Sequence, residues 1–110
     1  MDKSNKNFIQ VLNEIRSELK LKYQDFKGIY HFGSRVKKNF SPDSDYDIVI
    51  IFDRKIRWQF ESEILSIVYK YMIENDIIID CHVYTEADIQ NPATPFRYNV
   101  KTTGVFYGSQ

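Results

Sequence analysis

Residues 46–52 read Tyr46-Asp47-Ile48-Val49-Ile50-Ile51-Phe52. The apolar part of this run is mostly β-branched, which suits a strand buried on most of its surface. Working outward, Phe8, Leu12, Ile15 and Leu19 recur at helical spacing with charged residues between them. They predict an amphipathic helix from residue 4 or 5 to residue 23, with Ser4 as its N-cap. After Gly28, residues 29–32 read as a short strand, and Gly33-Ser34 break it. Residues 35–39 read as one helical turn, and residues 40–44, with Pro42, as a loop. Phe60, Ile64, Ile67, Val68, Tyr71 and Met72 mark a second long helix over 55–74. Asn75 and Asp76 turn out of it into a strand over 77–84. Thr85 and Asp88 have capping-box spacing. Residues 96–103 read as a last helix, and 105–107 as a short apolar tail. The order predicts an α/β (α+β) domain, a small mixed sheet with flanking helices.

Length and charge narrow the function. The chain has 110 residues, 15 of them basic and 15 acidic. That length suits a single domain over 1–110. A net charge of zero argues against direct nucleic-acid or anionic-membrane binding, which rests on an excess of Lys and Arg. It leaves room for a local basic pocket. Cys81 is the one cysteine, so no internal disulfide or Cys-rich zinc site can form, in keeping with a reducing compartment. Residues 1–7 lack the apolar core of a signal peptide. No apolar run approaches the length of a membrane span. A cytoplasmic location is expected.

The chemistry concentrates in His31-Phe32-Gly33-Ser34-Arg35 and Asp43-Ser44-Asp45-Tyr46-Asp47. A Gly-Ser pair between a strand and a helical turn lets a phosphate approach the backbone, where free N–H groups and a hydroxyl can bind it. Alone it is an ordinary turn. Asp45 and Asp47, two apart at the mouth of a strand, point to one face. At ~5 Å and an effective dielectric of about 20, two such charges repel by roughly 3 kcal/mol. A divalent cation relieves that repulsion, and hard oxygen ligands suit Mg²⁺ or Mn²⁺. Asp80 interrupts Ile77-Ile78-Ile79 and Cys81-His82-Val83. Alternation puts Ile77, Ile79, Cys81 and Val83 on one apolar face, and Asp80 with Ile78, His82 and Tyr84 on the other. An Asp within a buried strand is costly unless paired or metal-bound. If the two strands are neighbours, three carboxylates converge, as two-metal phosphoryl or nucleotidyl transfer requires.

Gly33-Ser34, ten residues, then Asp45-Tyr46-Asp47, with Asp80 on a later strand, resembles the nucleotidyltransferase superfamily that includes DNA polymerase β. The short length and the closing segments 95–100 and 104–107 resemble its minimal members, the MNT-domain antitoxins of HEPN/MNT toxin–antitoxin pairs. The resemblance covers nearly the whole chain and implies the nucleotidyltransferase fold. It also implies roles: Gly33 and Ser34 hold nucleotide phosphates, Asp45 and Asp47 bind Mg²⁺, and Asp80 is the third, catalytic carboxylate. ATP is the implied donor, and a tyrosine of a HEPN toxin the implied acceptor. Arg35 is the basic residue nearest the phosphates; Lys37 and Lys38 read as a solvated face. His31 and His82 read as structural, Cys81 as core, Trp58 and Phe60 as core or partner-facing, and Asp43 and Asp53 as exposed. Two other readings compete: a non-catalytic domain that masks its partner, and a transferase acting on a small molecule, its cleft completed by a homo- or hetero-oligomer.

Overall fold

A computed structural model of the chain describes residues 7–37 and 45–109. Asn7 opens helix α1 (Phe8–Lys22). Its side chain accepts from the Gln10 backbone N–H, and the Gln10 side chain accepts from the Asn7 N–H. This reciprocal pair satisfies amides that a helix start leaves open. The expected cap, Ser4, lies outside the described residues, and Asn7 takes that role.

Strand β1 (Phe26–Phe32) starts earlier than the sequence suggested. Its pairing register shifts between Phe26 and Gly28, so Phe26 and Ile29 both reach the same core. One helical turn, α2 (Ser34–Lys37), follows. Then come β2 (Tyr46–Phe52), α3 (Trp58–Asn75), β3 (Ile79–Thr85), α4 (Glu86–Gln90), α5 (Pro95–Thr103) and β4 (Val105–Gly108). Helix α3 begins at Trp58 instead of residue 55, and β3 at Ile79 instead of residue 77. Thr85 does form the expected capping box with Asp88. The stretch read as an apolar tail is an edge strand.

The sheet order is β3-β2-β1-β4. β1 runs antiparallel to β2 and β4, whereas β2 and β3 are parallel. The sheet is therefore mixed, as expected. Alternation along β2 divides the core. Ile48, Ile50 and Phe52 pack with Leu12, Ile15 and Leu19 of α1 and Ile64 and Val68 of α3. Val49 and Ile51 face the other way, with Phe32, Ile89 of α4 and Val100 of α5. Asp47 continues the Val49–Ile51 face toward the end where β2 begins. Among the described residues, no helix is long and apolar enough to cross a membrane.

Candidate active site

The ladder fixes which side chains meet. Asp47 on β2 is the register partner of Asp80 on β3. It is also the partner of Phe32 on β1, the residue before Gly33. Paired residues point to the same side of a sheet. Asp47 and Asp80 therefore stand together on one face, with Gly33 at their flank.

Gly33 has a φ of +86°, a conformation that side chains other than glycine's rarely adopt. A Cβ there would collide with the Asp47 carboxylate. Backbone angle and space both require glycine at this position. Ser34 begins α2. Arg35 lays its guanidinium 4.3 Å from the centre of the Tyr46 ring. Tyr46 in turn stacks on Phe8, with ring centres 4.0 Å apart. Arg35 is thus held by a cation–π contact on Tyr46, whose ring packs toward α1 on the side of the sheet opposite Asp47.

The Asp47 carboxyl is pushed above the ordinary carboxylate range. Burial is the largest cause, followed by the charges of Asp80 and Asp45; a hydrogen bond with Asp80 adds to them, and His82 opposes them. Asp45 lies just before β2 and is exposed. The structure brings Asp47 and Asp80 side by side and keeps Asp45 close enough to act on Asp47. Among the described residues, no three His, Cys, Asp or Glu side chains close a metal cluster. Two carboxylates nonetheless fit a hard cation such as Mg²⁺, which usually takes one or two of them and completes its shell with water and substrate phosphates. The neighbouring charges of Asp80 and Asp45, which add to burial in raising the Asp47 pKa, are what such an ion would neutralise.

Asp80 departs from expectation in its burial. Its side chain is 54% exposed, so a desolvation cost does not apply to it. β3 is an edge strand. Its other face behaves as expected, since Ile79 and Val83 are buried and Ile77 and Cys81 pack against the same core. Burial pushes the Cys81 thiol far up, which suits packing and not nucleophilic chemistry. His82 shares the face of Asp80, and its Nε2 lies 3.5 Å from Asp80 Oδ1. His31 faces the opposite side of the sheet from Asp47, with its ring 4.9 Å from Phe8. Burial lowers its pKa, so it is neutral and structural. Asp53 is exposed and Phe60 packs on the core, whereas Trp58 is exposed. Lys38, Asp43 and the 40–44 loop lie outside the described residues. The sequence reading missed Tyr46 as the seat of Arg35 and Phe96 as a neighbour of His82. Tyr46 lies between the two Asp residues and Phe96 follows a proline, but neither position alone signals a contact.

These strands and helices also form the frame of known nucleotidyltransferases. A Sulfolobus solfataricus protein assigned as a nucleotidyltransferase superposes with a TM-score of 0.61 at 19% identity, covering 90% of this chain and 78% of its own. A toxin–antitoxin solved with AMP-PNP superposes with a TM-score of 0.62 at 20% identity, covering 89% of this chain and 71% of that one. At such identities the likeness is one of fold. No curated protein matches the chain. The family model "Polymerase beta, Nucleotidyltransferase" matches residues 13–106. The chain belongs to that family and is a nucleotidyltransferase.

Proposed function

We propose that this chain, a single minimal domain of residues 1–110 acting in the cytoplasm, transfers AMP from ATP to a hydroxyl of a partner protein. The proposed acceptor is a tyrosine of a HEPN toxin, which makes the chain an antitoxin. The observation that carries this reading is Gly33 lodged against Asp47 while Asp47 pairs with Asp80. That arrangement sets a glycine turn, open to close approach by a phosphate, directly beside two oxygen donors.

In the reaction, the acceptor oxygen forms a bond to the α-phosphorus and the bond to the pyrophosphate oxygen breaks. Gly33 gives the β- and γ-phosphates close approach to the backbone, and Ser34 donates its hydroxyl to them. Arg35, which follows Ser34 in the chain, supplies positive charge to these phosphates on leaving Tyr46. Asp45, Asp47 and Asp80 would hold Mg²⁺, which neutralises phosphate charge and lowers the pKa of the attacking hydroxyl. Asp80, the most open of the paired carboxylates, takes up the acceptor proton. The likeness to a toxin–antitoxin supports a protein as acceptor.

The test is co-expression with the product of the adjacent reading frame, followed by intact mass of both chains. One or more AMP units on the partner, lost with Asp47→Ala in a folded protein, is the expected result. An unmodified partner that is still neutralised by Asp47→Ala would make the domain a masking protein instead.

A further inference from the structure

Helix α3 carries two apolar faces, and the fold uses one of them. Ile64, Val68 and Tyr71 point into the core shared with α1 and the sheet. On the opposite side Trp58 is 73% exposed, Leu65 36%, Tyr69 60% and Ile73 59%. With about 100° of turn per residue, these four fall in one strip, and exposed Ser62 and Ser66 lie between them. The strip holds no charged residue and runs about 22 Å along the helix. A helix on a protein surface normally turns charged and polar side chains outward. A continuous apolar strip there marks an interaction surface.

The pattern of the strip fits a copy of itself laid antiparallel. About a two-fold axis near residue 67, Tyr69 meets the second copy's Leu65, and Ile73 meets the second copy's Gln59 and Trp58. Ser66 meets its own equivalent, where short side chains let the helices approach closely. Charge selects the direction. Exposed Glu63 and Lys70 border the strip on one side. Antiparallel pairing sets each Glu63 beside the second copy's Lys70, whereas parallel pairing sets like charges together. Such rim charges orient a complex more than they tighten it, and here each is also tied within its own chain, Glu63 by the Tyr23 hydroxyl and Lys70 by Glu18. Trp58 and Tyr69 together withdraw roughly 300 Å² per copy from water. With Leu65, Ile73 and the serines, a pair of chains buries about 1,000 Å², the lower bound of a specific interface. We infer that α3 pairs antiparallel with α3 of a second copy of this chain, in a dimer that forms at micromolar concentration. The Asp47–Asp80 face lies on the other side of the sheet from α3, so both carboxylate pairs stay open in the dimer.

Sedimentation equilibrium of the full chain from about 1 to 200 μM, a range that brackets a micromolar Kd, tests the pairing. The wild type should pass from monomer to dimer across it. Ser66→Lys sets two like charges against each other at the two-fold axis and touches no core residue. It should weaken dimerisation by roughly a hundredfold or more while leaving the melting temperature of the dilute protein unchanged. Direction is read by mixing Gln59→Cys protein with Ile73→Cys protein under mild oxidation. Antiparallel pairing gives the mixed 59–73 disulfide, and parallel pairing gives 59–59 and 73–73. Cys81, packed against the core, stays out of the reaction. A wild type that remains monomeric at the highest concentration overturns the inference, as does a dimer that Ser66→Lys leaves intact. A predominance of like-numbered disulfides overturns the antiparallel arrangement. If the wild type is monomeric and Ser66→Lys instead releases the co-expressed partner, the strip is that partner's seat and not a second copy's.

Discussion

A single side chain at position 33 would disturb two things at once. The φ of +86° strains any L-residue there by about 1–3 kcal/mol, and a Cβ drives Asp47 out of its place. Gly33→Ala should therefore lower the melting temperature by several degrees and reduce transfer more steeply than that loss explains. Comparing turnover with circular-dichroism melts well below the midpoint checks this. Asp47 poses the converse case. Its carboxylate is held against burial and against the charges of Asp80 and Asp45. Asp47→Asn should raise the melting temperature in metal-free buffer at neutral pH while abolishing transfer. A lower melting temperature would mean that Asp47 holds the fold as well as the chemistry. The spacing of Gly33-Ser34 and Asp45-x-Asp47 was legible because it lies along the chain and strand alternation needs no partner. The pairing of Asp47 with Asp80 was only conditional in the sequence, since register belongs to two strands. The exposure of Asp80 was not legible at all, because coverage of that face depends on where α4 and α5 settle.

Helices α1 and α3 are joined through one carboxylate. Glu18 accepts from Lys22 at 2.6 Å, from Lys70 at 2.9 Å and from the Tyr71 hydroxyl at 2.7 Å. Burial pushes its pKa up, but the hydrogen bonds from Lys22, Tyr71 and Lys70 outweigh it and bring the value from 4.5 down to about 2. The folded state thus binds the proton less readily than the unfolded chain. Stability from this group is fully present above the ordinary carboxylate pKa and is lost as pH falls from about 4.5 toward 2. Glu18→Gln should cost roughly 2 kcal/mol at pH 7 and flatten stability against pH across that window. Urea melts at several pH values read both effects, and an unchanged slope would show that Glu18 is not the linked group. The apolar stripes of these helices were readable because packing follows their period. Their first residues were not. Asn7 and Ser4 are both good cap residues, and only Asn7 has Gln10 three positions on to answer it.

Across the whole molecule, the two edges of the sheet carry different burdens. β3 brings Asp80 to the site, while β4 closes the opposite edge by pairing with residues 28–31 of β1. β4 was misread as a tail because four residues give too little alternation to mark a strand. What seats it is Gly28, with a φ of +147°, where a Cβ would lie 2.6 Å from the Tyr107 carbonyl oxygen and from the Phe106 ring. Arg16 of α1 completes the attachment by donating Nε and Nη2 to the Gly108 carbonyl at 3.0 and 2.6 Å. Gly28→Val should force β4 off, and two consequences follow. The freed edge of β1 presents unpaired N–H and C=O groups, which favour pairing between chains. Amides of β4 should then exchange rapidly, and the protein should self-associate on size-exclusion chromatography. Nucleotide affinity should fall only modestly in the monomeric fraction, because Asp47 and Asp80 lie beyond β1 while Gly33 follows just two residues after His31, which pairs with Val105 of β4. A parallel loss of nucleotide affinity would mean that the sheet transmits strain from one edge to the other.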